Sequence, residues 1–355
     1  MKKHFLSYGK KALSLATAVV VLLGTTLTIT GCGNTGGTPA AEQGAVEAKA
    51  SENAGAVKLR LGVMTGNIEH LISVIGREKG FFERNGIDLE VTEYAAGINS
   101  VDALTMDQLD VALAADFAIL NRIGNTEGSD LKIITSYAYA AGAGGQLFVN
   151  PERIKDENDF KGKKLINLPG VVYEYWNELV RDKYGLTADE LEFVNVDSQP
   201  SAVAVATRGD GDAFWGSGEV AAQLAALGWT PILNLSDLNA MTTMFFIAKE
   251  GYAKENSDTL KKFYAGVTET IEYIQSNTDD AAAIIESKAG LKPEMFKQIV
   301  AAMNLGIQFN TEEFEYLDGV NKWLQEKQYY KNPFDVKDIL YLDTAKEAYP
   351  DKFDI

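Results

Sequence analysis

Three large aromatic residues follow a Pro-Gly turn in the stretch LPGVVYEYW, residues 168–176. Tyr173, Tyr175 and Trp176 fill three of four consecutive positions there. A helix that only packs on a sheet needs one or two inward aromatics, and its first turn usually carries Ser, Thr or Asp. The pattern therefore indicates either the wall of a pocket for a flat or cationic molecule, or an unusually aromatic core helix.

Two of these rings are predicted to have different roles. Residues three apart lie on adjoining helix faces, so Tyr173 and Trp176 do not share one face. An inward stripe through Val172, Trp176, Leu179 and Val180 predicts that Trp176 is a core residue. Tyr173 lies in the first turn, away from the centre of this stripe, and we expect it to face a ligand across a pocket from Trp215. Val172, in the same turn, is a further candidate contact.

Four charged or polar side chains and one more aromatic lie near the ends of predicted strands. Glu69 and His70 occur in TGNIEH, Asp116 begins DFAIL, and Trp215 and Glu219 belong to AFWGSGE. Each of these residues also has an interpretation that involves no ligand. His70 could be a solvated residue at a helix start, Asp116 a helix N-cap, and Glu219 a charge that compensates a helix N-terminus. Trp215 could pack under a helix instead of facing a pocket.

The residue types needed for catalysis or for a metal centre are scarce. Cys32 is the single cysteine, and His70 is the only histidine beyond the first four residues. Neither a zinc site with several Cys or His ligands nor a Cys-His catalytic pair is expected. AGAGG, residues 141–145, lacks the lysine context of a phosphate loop and is interpreted as a flexible connection. We expect no catalytic residue, no metal and no cofactor.

Strands alternate with helices from residue 57 onward, which predicts an α/β fold with mainly parallel sheets. A first unit of this kind is followed near Asn150 by a second, and after residue 250 the chain becomes a helical C-terminal tail. Open parallel sheets bind ligands beyond the carboxyl ends of their strands, so the loops there are expected to form the site. The candidate ligand contacts taken from these loops are Asn67, Glu69, His70, Asp116, Phe117, Tyr137, Val172, Tyr173, Trp215 and Glu219.

The N-terminus has the layout of a secretory signal. Four lysines precede an apolar run over residues 12–23, which is short for a membrane-spanning helix. Ile29-Thr30-Gly31-Cys32 follows and resembles the bacterial lipoprotein box, in which the cysteine receives a lipid. A buried or stray cysteine is the alternative. We therefore predict a lipoprotein signal peptide over residues 1–31, lipidation of Cys32, and a flexible tether over residues 32–56 that is rich in Gly, Ala and small polar residues.

The charge balance narrows the possible partners. The chain of 355 residues has 33 Lys and Arg against 50 Asp and Glu, for a net charge of −17. Removing residues 1–31 takes away four lysines and no acids, which changes the net charge to −21. Such a surface is a poor partner for nucleic acid or anionic lipid and favours high solubility. We expect a monomer that reaches the membrane only through its N-terminal lipid.

Several blocks of the sequence resemble, in order, the solute-binding proteins of the nitrate/taurine/sulfonate class of ABC importers. They are GREKGFFERNGIDLEVTEYAAGINSVDAL, LDVALAADFA, DFKGKKLINLPG, YGLTADELEFVNV and GDGDAFWGSGEVAAQLAALGW. The resemblance covers roughly residues 57–277. It implies the two-lobed periplasmic-binding-protein fold (type II), with a ligand cleft between the lobes. Lobe I would comprise residues 57–149 and 243–355, lobe II residues 150–242, and the connecting strands would cross near residues 145–155 and 240–248.

The resemblance implies an extracytoplasmic binding protein that presents a small solute to an ABC permease. Val171 and Val172 depart from the small hydroxyl residues that the family commonly carries in this turn, which puts an oxyanion ligand in doubt. The aromatic walls favour an aromatic or heteroaromatic solute of the vitamin-precursor type. A sulfonate or taurine-like anion and an organic cation remain alternatives, as do a ligand-sensing subunit and an enzyme of the thiamine-pyrimidine-synthase type. That enzyme type relies on a cysteine-rich motif that this chain lacks.

Overall fold

The computed structural model describes residues 55–141 and 145–355. Its strands are β1 (Val57–Met64), β2 (Ile87–Tyr94), β3 (Ala112–Ala115), β4 (Leu131–Ala141), β5 (Gln146–Val149), β6 (Lys163–Asn167), β7 (Leu191–Asn195), β8 (Ala213–Gly216), β9 (Thr230–Asn234), β10 (Met241–Lys249) and β11 (Asn304–Gln308).

Helices connect and cover these strands. They are α1 (Ile68–Glu78), α2 (Phe81–Arg84), α3 (Gly97–Thr105), α4 (Asp116–Gly124), α5 (Val172–Tyr184), α6 (Gln199–Arg208), α7 (Gly218–Ala226), α8 (Glu250–Glu255), α9 (Ser257–Ser276), α10 (Thr278–Ala289), α11 (Pro293–Ala301), α12 (Thr311–Glu326) and α13 (Asp343–Ala348). Short 3-10 turns occur at Leu235–Leu238, Val336–Ile339 and Pro350–Lys352.

The first sheet has the strand order β11-β4-β10-β3. β10 runs antiparallel to both β3 and β4, with Met244 opposite Ala115. The parallel pair β1–β2 lies beside it, and a bridge between Leu61 and Val111 connects β1 to the residues just before β3. The carboxyl ends of β1 to β4 and the amino end of β10 therefore meet at one edge.

The second sheet has the order β7-β6-β8-β5-β9. β6 is parallel to β7 and β8, whereas β5 is antiparallel to β8 and β9. The chain enters this sheet between β4 and β5 and returns to the first sheet between β9 and β10. Residues 142–144 of the first crossing lie outside the described residues.

Side-chain alternation along the strands divides the core into layers. Phe246 on β10 belongs to the layer under α1, α9 and α10, whereas its neighbour Phe245 points to the other face. That second layer contains Phe117 of α4 and Leu317 of α12, and it continues to Trp215 of the second sheet. One apolar layer therefore runs from the first sheet to the second, with helix α12 in it.

The predicted α/β fold is confirmed, and the structure adds antiparallel strands at the crossings, where the chain reverses between the sheets. α1 and α2 are separate helices, because Gly80 between them adopts a left-handed conformation with φ of +68°. β11 was not predicted. Residues 146–149, which the prediction placed in the first lobe, form β5 of the second sheet. The domain limits otherwise stay a prediction, and the predicted signal peptide, Cys32 and nearly all of the tether lie outside the described residues.

Candidate functional site

The aromatic helix α5 begins after a turn that its own sequence dictates. Gly170 has a φ of +78°, a conformation that suits glycine. Its N–H donates to Oε2 of Glu174 at 2.9 Å, so this carboxylate caps the turn although the N-cap residue, Val171, has no side-chain acceptor. The helix ends at Gly185, which adopts the left-handed conformation common at helix C-termini. This turn fixes the directions in which the three aromatic side chains leave the helix.

Tyr173 points toward the layer under α6. Its ring stacks on Phe214 with centroids 5.5 Å apart and planes 14° apart, and its hydroxyl accepts a hydrogen bond from Gln199 Nε2 at 2.7 Å. The ring is half-buried. Tyr173 is therefore engaged with its own lobe in this structure, and its contact with a solute stays a prediction.

Trp176 and Trp215 pack against each other in the other layer. Trp176 is buried, as predicted, and its ring lies edge-on to Trp215 with centroids 5.4 Å apart. Trp215 is 0% exposed and donates from Nε1 to Asn177 Oδ1 at 3.0 Å. The predicted facing pair of Tyr173 and Trp215 is not formed, because successive strand residues point to opposite faces: Phe214 meets Tyr173, and Trp215 meets Trp176.

Trp176 also packs against the segment that connects the two sheets. A Cβ atom added to Gly145, which directly precedes β5, would lie 3.4 Å from the Trp176 ring. The indole therefore packs closely against the backbone of the crossing segment. Any rotation of one sheet relative to the other has to be accommodated around this ring.

Asp116 lies at the edge of the first sheet, where β3 ends and α4 begins. Its side chain is 0% exposed, Oδ1 accepts from the Phe117 N–H at 2.6 Å, and Oδ2 accepts from the Thr243 N–H at 3.0 Å. Burial raises the pKa of this carboxyl to about 6, while these two hydrogen bonds oppose the shift. Asp116 is the first residue of the helix and not its N-cap, which is Ala115. The carboxylate connects α4 to β10.

Tyr175 of α5 and Tyr316 of α12 both lie near Asp116, so a helix of the second sheet and a helix of the C-terminal tail meet at this carboxylate. Their rings meet edge-on with centroids 6.5 Å apart, and Tyr175 also contacts Trp323 of α12 at 5.0 Å. Burial raises the pKa of Tyr175 to about 12, and the charge of Asp116 adds to the shift. Burial also raises the pKa of Tyr316, again with a contribution from Asp116. We call Asp116, Tyr175, Trp176, Thr243 and Tyr316 the Asp116 cluster.

The Asp116 cluster contains more hydrogen-bonding groups than it pairs internally. Trp176 Nε1, Thr243 Oγ1 and the Tyr316 hydroxyl are buried without a partner. Trp176 Nε1 and the Met241 N–H lie close enough to the Tyr316 hydroxyl to stabilise its ionised form, but neither reaches hydrogen-bonding geometry. Unpaired buried polar groups cost roughly 1 to 3 kcal/mol each, so their concentration at one place needs a physical explanation.

A second polar group forms at the end of β1. Glu69 is buried and accepts from the Tyr137 hydroxyl at 3.0 Å and from the Met64 N–H at 3.3 Å. Burial raises the pKa of Glu69 to about 7. His70 is also buried, so it is not a solvated residue, and its Nδ1 accepts from the Gly66 N–H at 3.1 Å. Glu69 and His70 therefore find their hydrogen-bonding partners among neighbouring residues at the end of β1 and in β4.

The remaining candidates are dispersed. Asn67 caps α1 by accepting from the Ile68 N–H, Phe117 is a core residue, and Val172 is half-buried at the start of α5. Glu219 is exposed and accepts from Gln223 Nε2 one turn further along α7. The structure therefore does not bring Glu219 to Asp116.

Sequence reasoning missed the contribution of the tail. Thr243 and Tyr316 were not among the candidates, and neither was Trp323. Tyr316 and Trp323 lie seven residues apart in α12, a spacing that places both on one helix face. This aromatic spacing was the available signal, although it does not show which element the face meets.

A surface groove of about 800 Å³ lies elsewhere, between the carboxyl ends of β6 and β7 and helix α6. Pro169, Asp197 and Arg208 are among its lining residues. The groove is open, and it does not reach the Asp116 cluster. Within the described ranges, no group of three or more His, Cys, Asp or Glu residues is placed to hold a metal ion. No helix of the described chain is long and apolar enough to cross a bilayer.

Known proteins with the same fold include binding proteins and an enzyme. The chain is similar to the periplasmic aliphatic sulphonate binding protein SsuA of Escherichia coli, with a TM-score of 0.71 and 18% identity over 81% of this chain and 98% of the other. It is also similar to the desulfurization enzyme DSZB, with a TM-score of 0.62 and 14% identity over 83% and 99% of the two chains. The periplasmic-binding-protein fold expected from the sequence is thereby confirmed.

Sequence comparison identifies the family. A protein of Brucella abortus (strain 2308), whose name proposes a binding function, is 25% identical over 320 residues, which cover 82% of this chain and 92% of the relative. The family described as NMT1/THI5 like matches residues 67–281. Because this match includes more than half of the chain, the protein belongs to the NMT1/THI5-like family.

Proposed function

We propose that this protein is the extracytoplasmic solute-binding lipoprotein of an ABC importer, and that it captures a small aromatic or heteroaromatic solute as its lobes close. The observation that carries the proposal is the Asp116 cluster. The indole ring of Trp176, the phenol rings of Tyr175 and Tyr316, a carboxylate and several unpartnered hydrogen-bonding groups meet there between the strand ends of the two sheets. Ligand sites of α/β proteins concentrate at such positions.

The family and the fold support this role, and the sequence supports its location. Cys32 would carry the lipid that holds the protein at the cell membrane, with the cognate permease as its partner and a monomer as the binding unit. A ligand-sensing subunit would use the same site, and its test is whether the solute is transported.

An enzyme is the second candidate, because the desulfurization enzyme DSZB shares the fold. The single cysteine of this chain is Cys32 in the predicted lipobox, so the folded part has no cysteine to act as a nucleophile. We therefore propose binding without chemical conversion.

Mass spectrometry of the solute released on denaturing freshly purified protein tests the proposal. The solute is expected to be a small organic molecule with an aromatic or heteroaromatic ring. Adding it back at a hundredfold excess over Kd should stabilise the native state by about 2.7 kcal/mol. Conversion of the solute to a product during incubation would contradict the proposal and support the enzyme.

A further inference from the structure

Asp116 is an unusual carboxylate because its partners in the structure are two backbone N–H groups alone. Among the described residues, no Lys, Arg or His forms an ion pair with it. Asp212, which is also buried, has Arg153 Nη1 at 2.8 Å. A carboxylate that accepts two hydrogen bonds retains lone pairs for further donors. Burial raises the pKa of Asp116 to about 6, and no cationic side chain in the described part of the chain offsets the charge that this carboxylate carries when it is ionised.

The surroundings of this charge are aromatic. Tyr175 and Tyr316 lie close enough to Asp116 for its charge to raise their pKa values. Trp176 Nε1 lies beside the Tyr316 hydroxyl, and Trp323 of α12 packs against Tyr175. The faces of such rings attract cations, and they do so more strongly where water is excluded. The walls and the carboxylate therefore favour the same sign of ligand charge.

The buried hydrogen-bonding groups without a partner also determine which polar atoms the solute must carry. Trp176 Nε1 can only donate a hydrogen bond, while Thr243 Oγ1 and the Tyr316 hydroxyl can donate or accept. A solute that satisfies the indole N–H must offer an acceptor, such as a ring nitrogen or a carbonyl oxygen. A sulfonate would also offer acceptors, but it would place a second negative charge beside Asp116 in a medium of low dielectric constant, where like charges repel strongly.

Building on the function proposed above, we propose that the solute carries a protonated nitrogen group that pairs with Asp116, while its ring packs against Tyr175 and Trp176 and its acceptor receives the Trp176 N–H. The bound species is thus an organic cation and not a sulfonate, in contrast to the sulphonate-binding protein with which the chain shares its fold. Because Asp116 is fully buried, the solute reaches it only when α5 or α12 moves.

Three probes with the same ring and different charges test this inference. Benzamidine is a cation, benzamide is its neutral isostere, and benzenesulfonate is an anion. Isothermal titration of the mature protein at pH 7.5 is expected to give at least about tenfold tighter binding of benzamidine than of benzamide, since charge-assisted hydrogen bonds are roughly twice as strong as neutral ones. Benzenesulfonate is expected to give no binding.

Two variants show whether Asp116 causes the preference for the cationic probe over the neutral one. Asp116→Asn keeps the shape and should reduce the preference for benzamidine over benzamide to less than about twofold. The matched control is Glu313→Gln, which neutralises another buried carboxylate, one that accepts from Ser136 and Asn310 outside the cluster. This control should keep the wild-type preference. If Asp116→Asn does not fold, the wild-type ranking of the three probes and the charge of the co-purified solute still decide the question.

The outcomes separate this inference from the proposed function. Tighter binding of benzenesulfonate, an unchanged preference in Asp116→Asn, or a co-purified solute that is neutral or anionic would overturn the inference and leave a solute-binding protein. If none of the probes binds but a solute is released on denaturation, the inference also fails and the proposed function stands. If no probe binds and no solute is released, both fail.

Discussion

The hydroxyl of Tyr329 donates a hydrogen bond to Glu174 Oε1 at 3.0 Å. Tyr329 belongs to the segment that follows α12, whereas Glu174 lies in the first turn of α5, and its other oxygen holds the Gly170 turn. Tyr329 also packs edge-on against Phe117 of α4, with centroids 6.1 Å apart. The tail thus connects the helix after β3 of the first sheet to the helix after β6 of the second.

Removing this connection should weaken solute binding. Tyr329→Phe deletes one hydrogen bond of about 1 kcal/mol that forms between elements of different sheets, so the affinity for the co-purified solute is expected to fall about threefold to tenfold. Titration calorimetry measures the affinity, and small-angle scattering measures whether the solute-bound particle is less compact. The control is Tyr330→Phe, whose hydroxyl bonds to Asn321 within the tail. Equal effects of the two substitutions would show that the contact with Glu174 has no special role.

Trp176→Phe and Trp215→Phe form a matched pair. Both remove the same volume from the buried layer, but only Trp215 loses a satisfied hydrogen bond, and its loss leaves Asn177 Oδ1 without the indole donor. We expect Trp215→Phe to be about 1 to 3 kcal/mol less stable than Trp176→Phe in denaturant titrations. Trp176→Phe should instead weaken solute binding, because its unpartnered N–H is proposed to meet the solute. The reverse pattern would place the solute on the Trp215 side of the layer.

Stability should depend on pH through Glu313. Burial raises the pKa of Glu313 to about 7, whereas the hydrogen bond from Ser136 lowers it in part. The native state therefore keeps its proton at pH values where the unfolded chain has released it. This contribution is complete below about pH 4.5 and is lost as the pH rises through 7, to the extent of about 3 kcal/mol.

Glu313→Gln should remove this dependence. Measured by denaturant unfolding, the variant should gain stability relative to wild type between pH 5 and pH 8. Glu312→Gln, at the exposed neighbouring position, should follow the wild-type curve. Parallel curves for wild type and Glu313→Gln would mean that Glu313 is already ionised at pH 5.

Cys32 is predicted to anchor the protein. Because Cys32 is the only residue that can receive the lipid, Cys32→Ser should move the protein from the membrane fraction to the soluble extracytoplasmic fraction. Immunoblotting of the separated fractions measures this. A chain that begins near residue 57 should bind the solute as well as the full-length protein. Unchanged fractionation of Cys32→Ser would contradict the lipid anchor.

The alternation of strands and helices and the start of α5 after the Pro-Gly turn could be predicted from sequence, because periodicity and glycine positions are local signals. β11 could not, since Asn304–Gln308 is short, contains Gly306 and pairs with β4 more than 160 residues away. The face of Trp215 depends on strand register, where a shift of one residue reverses the side chain. Tyr316 reaches Asp116 only through the tertiary position of α12, which the helical pattern alone does not determine.

All four tryptophans are less than a tenth exposed. Three of them, Trp176, Trp215 and Trp323, lie in or beside the Asp116 cluster, whereas Trp229 belongs to the separate layer under α7. The intrinsic fluorescence of the protein is therefore concentrated where the sheets meet. With Trp229 replaced by Phe, the remaining emission becomes a label-free optical signal of solute capture, and stopped-flow mixing can time opening and closing without an attached dye.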